Sequence, residues 1–291
     1  TGLTSFLVGR YGRIAALAFS AAILIRLYNE IWSNSSVVGA YYGVPGSGAF
    51  VAAALLFTAA TLFYSLKGGL RSSLVTDVIQ SVLFVLTLFA VLFLVLPAHG
   101  PATLLSVGDF RLNAGMDLVL VALLQVFSYP FHDPVLTDRG FITREKTMLR
   151  AFIVAGALGF LCIFAFSLVG VHARLEKLPS GDNMPGAVAL AFGVTPYLLM
   201  TAIMILAAGS TVDSTFASIS KSVGQDLPGI AGKTLKRPVR VGLWAMVMLA
   251  IFGNFPMVAG TDILKATTVS GTMVMGLAPI FILAPMVRYS P

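Results

Sequence analysis

The sequence predicts an all-α protein that crosses a membrane several times, and three observations predict it. Charged residues make up 11% of the chain, against about 25% in soluble domains, which is too few to cover a water-facing surface. AVILMFWYC residues make up 57%, and the mean hydropathy is +0.92. The apolar residues also gather in runs long enough, as helices, to cross the ~30 Å hydrocarbon layer of a bilayer.

These runs fall at about 14–40, 49–66, 73–96, 117–133, 150–171, 196–220, 239–254 and 262–286. The expected architecture is a bundle of about eight transmembrane helices. No Gly/Ser-rich or charged linker divides them, so residues 1–291 are read as a single transmembrane domain. Lys67-Gly68-Gly69-Leu70-Arg71 reads as a tight turn between the second and third spans, because paired glycines permit positive φ. Further turns are expected at Gly100-Pro101 and at Pro179-Ser180-Gly181-Asp182.

Basic residues set the orientation. Placing the N-terminal loop in the cytoplasm and alternating puts 14 Lys and Arg on the cytoplasmic side and 4 outside, with Arg26 inside a span. That bias is the one cytoplasmic loops show. The net charge of +7 does not point to nucleic acid, because the basic residues are spread over short gaps between apolar runs. Cys162 is the one cysteine, so no disulfide forms within the chain. No phosphate-binding loop and no paired catalytic carboxylates are found, and no enzyme activity is expected. The chain starts at Thr1 without a basic leader and stops at Pro291 just after an apolar run, so a partial chain is expected.

Polar and ionisable residues inside apolar spans mark function, since each charge there costs a few kcal/mol. Four places qualify. In the sixth span, Ala207, Ser210, Thr211 and Ser214 lie on neighbouring turns of one face, with Asp213 on an adjoining one. Hydroxyls, a carbonyl and a carboxylate suit a hard cation such as Na⁺, by analogy with oxygen-ligated cation sites. The alternative is back-bonding of Ser and Thr to the preceding turn. The second place is Thr76-Asp77-Val78-Ile79-Gln80 in the third span, where Asp77 is either a ligand or a helix N-terminal acid.

The third place is the stripe Arg26, Asn29, Glu30, Ser33 and Asn34. Arg26 and Glu30 are four residues apart and can neutralise each other. The functional alternative is a substrate-facing wall in which Arg26 meets a carboxylate. The fourth place is Gln125 to Pro134, where Pro130 and Pro134 bracket Tyr129, His132 and Asp133. Two prolines four apart cannot continue a clean helix, and broken helices at membrane depth line cavities. Alternatively, the span ends at Tyr129.

Four stretches together resemble the sodium:solute symporter family, which includes proline, pantothenate, sialate, urea and sodium/glucose transporters. Thr4-Ser5-Phe6-Leu7-Val8-Gly9-Arg10-Tyr11-Gly12 is similar to its FLxxRYG segment. Tyr64 to Leu70 followed by Thr76 to Gln80 is similar to its GGL–TDxxQ signature. Pro134-Val135-Leu136-Thr137-Asp138-Arg139 resembles its PxxxQR stretch, with Asp138 in place of Gln, and Ala207 to Ser214 resembles its sodium-site helix.

The resemblance implies a LeuT-type inverted-repeat helical bundle in which these spans are core helices three to ten, the first two being expected upstream of Thr1. It implies sodium-coupled symport of a small organic solute across the bacterial plasma membrane by alternating access. It makes Na⁺ the coupling ion, with Ala207, Ser210 and Thr211 as ligands of one site and Asp77, Ser210, Asp213 and Ser214 of a second. It places Tyr129 where sugar-carrying members have a gating aromatic, Arg26 where some members meet a substrate carboxylate, and Gln125 on the same solute-facing segment. The implied partners are the solute, sodium and the lipid bilayer. Two other readings stay open: a symporter-like sensor domain of a membrane signalling kinase, and a proton-coupled carrier on the same fold.

Overall fold

A computed structural model describes residues 3–107, 116–178, 183–259 and 263–286. The described residues are all helix and turn, with no strand. The expected turn at 179–182 lies outside them.

The chain opens with α1 (Leu3–Gly39), which holds a break at Gly12 (φ 82°, ψ 173°). Glycine lacks the Cβ that would clash in that conformation. The break tilts a short leading helix away from the span that follows. Two side chains beside it tie it down: the Arg10 guanidinium donates to the Ala284 carbonyl and the Tyr11 hydroxyl to that of Ile280. The Arg10-Tyr11-Gly12 stretch is thus two anchors and a hinge.

Helical bonding next runs through α2 (Gly48–Val95), capped by the Ser47 side chain. This helix is not a straight rod. Tyr64 and Gln80 would stand ~24 Å apart on one. Yet the Tyr64 hydroxyl donates to the Gly209 carbonyl at 3.3 Å, and the Gln80 amide lies 3.1 Å from where a Cβ on Gly209 would be. The chain therefore doubles back between two arms, Gly48–Lys67 and Ser73–Leu94. The turn expected at 67–71 falls where this reversal must lie.

The remaining helices are α3 (Pro101–Leu105), α4 (Met116–His132), α5 (Pro134–Ile142), α6 (Glu145–Leu175), α7 (Met184–Ala191) and α8 (Val194–Lys221). A wide π turn at Ser222–Asp226 leads to α9 (Leu227–Ile230), followed by α10 (Pro238–Phe252), α11 (Phe255–Val258), α12 (Ile263–Met275) and α13 (Ala278–Ile282). Pro130 does not stop α4, which runs on to His132. The break comes at Asp133, whose extended backbone separates α4 from α5 and whose carboxylate accepts from Leu136 N–H at 3.0 Å. The span therefore does not end at Tyr129.

Six helices among the described residues are long and apolar enough to cross a membrane: α1, each arm of α2, α6, α8 continued to Ile230, and α10 continued to Met257. The fourth and eighth expected spans correspond to shorter apolar helices, Val119–His132 and Val269–Ile282.

At the centre stands α8, packed against α1, α2, α7 and α10. One core cluster joins Phe19, Ile23, Leu27 and Ile31 of α1 to Val212, Phe216 and Ile219 of α8. A second joins Leu88, Val91 and Leu92 of the second α2 arm to Val169 of α6 and to Met200 and Ile203 of α8. Polar side chains lock the far end of α10 in place: Asn254 Nδ2 donates to Thr58 Oγ1 at 3.1 Å, and Thr58 meets Ser35 at 2.7 Å. Hydroxyl and amide bonds of this kind hold helices together where lipid supplies no hydrophobic drive. At the periphery lies α6, with only 6% of its most apolar window buried. Ile153, Leu158, Phe160 and Ile163 point outward, a face suited to lipid tails rather than water.

The α8–α10 contact is close because Gly242 carries no side chain. A Cβ there would lie 2.5 Å from the Ser220 carbonyl oxygen and 2.3 Å from its hydroxyl. Gly242→Ala should therefore destabilise the protein by about 1–3 kcal/mol through overpacking. Gly156→Ala on α6, where a Cβ meets nothing within 4 Å, should be neutral or slightly stabilising. Thermal unfolding of both variants in detergent checks this, and equal melting temperatures would contradict the close packing.

Candidate functional site

The second arm of α2 runs antiparallel to α8, and between them sit two carboxylates. Asp213 is 1% exposed. Burying a carboxylate is costly unless donors surround it, and here two hydroxyls do. Ser73 donates to Asp213 Oδ1, and Thr76 donates to Asp213 Oδ2 at 2.7 Å. Asp77 receives two more, from Ser210 at 2.6 Å and from Ser214 at 3.2 Å. Ser73 and Ser214 face each other at 3.3 Å and link the two halves.

A count of hydrogens is informative. Each hydroxyl has one proton to give. If Ser73, Thr76, Ser210 and Ser214 all point theirs at carboxylates, the Ser73–Ser214 contact holds no hydrogen, and two oxygen lone pairs face each other. Among the described residues, no Lys or Arg forms an ion pair with Asp213. The arrangement is rich in oxygen and negative charge, which is what a hard cation needs.

Ala207 and Thr211 stand apart from this cluster. The Thr211 hydroxyl donates back to the Ala207 carbonyl at 3.1 Å, and both residues lie on the exposed side of α8. Ser210 and Ser214 turn inward instead, because a helix places residues four apart on one face and their neighbours about 100° around it. The six expected cation ligands thus divide into four that meet and two that do not.

Beside Asp77 opens a cavity of about 290 Å³. Its wall takes Arg26 and Glu30 from α1, Asp77 and Ser81 from the second α2 arm, Tyr129 and Asp133 from the α4–α5 break, and Ser210, Thr211 and Ser214 from α8. All four polar places singled out in the sequence therefore converge on one space. Arg26 is paired with Glu30, and its Nη1 donates to Ser270 Oγ at 3.3 Å. Asn34 donates to the other Glu30 oxygen at 3.1 Å. Its charge is balanced, and a carboxylate ligand would have to share it. Gln125 does not join the wall: it packs over Gly271 on α12, and its amide nitrogen has no partner among the described residues.

A larger cavity of about 610 Å³ reaches the cluster from the other side. Ser73 and Asp213 form its inner end, and Lys67 and Lys221 lie on its wall near the basic face. The carboxylate cluster thus forms a partition between two spaces.

Ser73 and Thr76 were not singled out from the sequence as partners of Asp213. A signal exists in the spacing of Ser73, Thr76, Asp77 and Gln80: three to four residues apart, they form a polar stripe along a helix that is otherwise apolar. No protein-family profile, no curated protein and no solved structure matches this chain.

The Ser73–Asp213 bond should be measurable as a coupling. Ser73→Ala alone removes a charge-assisted donor and should cost about 1.5–3 kcal/mol. In an Asp213→Asn background the same change should cost much less. A double-mutant cycle on unfolding in detergent measures the difference, and strictly additive effects would show that the two side chains do not interact.

Proposed function

We propose that the protein is a sodium-coupled symporter that imports a small organic solute, an amino acid, carboxylate or similar, through the bacterial plasma membrane by alternating access. In this reading the spans are core helices three to ten of a LeuT-type inverted-repeat bundle. The observation that carries the reading is the convergence of Arg26–Glu30, Tyr129, Asp77 and the α8 serines on one cavity, backed by a second carboxylate with neutral partners. Four hydroxyls and two carboxylates supply oxygen ligands for Na⁺. Asp77, Asp213, Ser210 and Ser214 are the proposed cation ligands, joined by Ser73 and Thr76. Ala207 and Thr211 form a half-site beside them, with Thr211 on the wall of the same cavity. The solute would lie beside Arg26 and Tyr129, where the polar wall meets the helix break. Discontinuous helices at such depth are the usual place for solute groups in carriers.

Coupling follows from shared contacts. Na⁺ at Asp77 neutralises charge on the wall that an anionic solute would face, so each ligand favours the other, and that coupling is reciprocal. A second reading has its own support: two acids bridged by hydroxyls can hold one proton between them, and H⁺ would then replace Na⁺ as the coupling ion.

The test is a sodium titration of the full-length protein in a potassium background, read as the rise in melting temperature. Half-saturation should move at least tenfold higher in Asp77→Asn and severalfold higher in Ser210→Ala. Stabilisation by Na⁺ and K⁺ alike, in parent and variants, would overturn the sodium assignment. Uptake into proteoliposomes driven by a pH gradient without sodium would favour the proton-coupled form instead.

A further inference from the structure

We propose a second metal site, for a borderline divalent cation of the zinc class, at the end of the bundle remote from Lys67 and Lys221. It is built from His99, His172 and Glu176. The chain has only three histidines, and two of them meet here. His99 follows the helical turn Leu96–Ala98 that closes the second α2 arm. His172 and Glu176 are four residues apart at the end of α6, so one helix face presents both. One donor atom from each of the three residues lies within 4.8 Å of the other two.

The local chemistry asks for a ligand. His172 is 2% exposed. Among the described residues, its buried Nδ1 has no hydrogen-bond partner, and the same holds for His99 Nε2. That second atom lies 2.9 Å from Glu176 Oε1, yet it lacks the alignment of a hydrogen bond. A buried ring nitrogen left without a partner costs about 1–3 kcal/mol, and a metal would satisfy it. The two imidazole rings are tilted at 54° with centroids 5.1 Å apart, so the contact is not a parallel stack.

Two imidazole nitrogens and one carboxylate oxygen form a common three-ligand zinc set, with a fourth position left for water. Metal–ligand bonds of about 2.0–2.2 Å put neighbouring ligand atoms roughly 3.3 Å apart in a tetrahedron, which small side-chain rotations would reach. Imidazole donors select against Na⁺, Mg²⁺ and Ca²⁺, which take oxygen ligands, so this site and the Asp77–Asp213 cluster would hold different ions. The Glu176 side chain is 48% exposed and provides the route in. Once bound, the metal would clasp the end of the second α2 arm to the end of α6, a helix otherwise held mainly by that arm and α7.

The test is calorimetric titration of ZnCl₂ into the purified, tag-free protein in detergent. Saturable binding near one ion per chain is expected, together with a zinc-dependent rise in melting temperature. Both should weaken at least tenfold in His99→Asn and in Glu176→Gln, and both should persist in Cys162→Ser, which removes the only thiol. X-ray absorption of the zinc-loaded parent should show two imidazole ligands, a readout that does not depend on the variants folding. Absence of saturable binding, binding unchanged in His99→Asn and Glu176→Gln, or loss of binding in Cys162→Ser would each overturn the proposal. None of these outcomes depends on the sodium assignment.

Discussion

A buried carboxylate on the central helix sets the terms for much of this structure. Asp213 is buried on α8 within the run Ser210 to Thr215, with Val212 and Phe216 wholly buried beside it. It is tolerable there only with donors at hand, and the second α2 arm supplies them through Ser73 and Thr76. That requirement pins the arm antiparallel to α8, and the pinning constrains what precedes it. The first arm must return along the other side of Gly209, where Tyr64 bonds the backbone. The α2 hairpin and its seat on α8 thus share one electrostatic cause, with apolar packing from Phe57 and Ala208 filling in around it.

Much of this was legible in the chain. Apolar runs located α6, α8 and α10 within a few residues, because a bilayer demands long unbroken stretches and leaves little room for other solutions. The double glycine at 68 and 69 lies between the two arms of α2, although helical bonding continues through it rather than giving way to the expected turn. Boundaries were less legible where proline was involved. Pro130 sits inside α4 rather than ending it, and the break falls three residues later at Asp133, whose carboxylate caps the following helix. Sequence spacing identifies a proline but does not say which backbone bond the neighbouring helix can do without.

The candidate site was legible in its parts and not in its pairings. Asp77, Asp213, Ser210 and Ser214 stand out because charged and hydroxyl groups are rare in such apolar company. Which oxygen serves which carboxylate depends on helix rotation, and a turn of 100° per residue separates Ser210, which meets Asp77, from Thr211, which bonds its own backbone. Gln125 shows the same limit: it belongs to a polar stretch, but its face of α4 turns to α12.

The partition between the two cavities has a consequence of its own. Ser73, which lines the larger cavity, and Ser214, which lines the smaller, face each other there at 3.3 Å beside the two acids. The groups that separate the spaces are therefore the same groups that would bind a cation between them. On the sodium reading, an ion bound there would draw on the same side chains that already join the α2 arm to α8, so its binding and the seat of that arm would be felt by one set of groups.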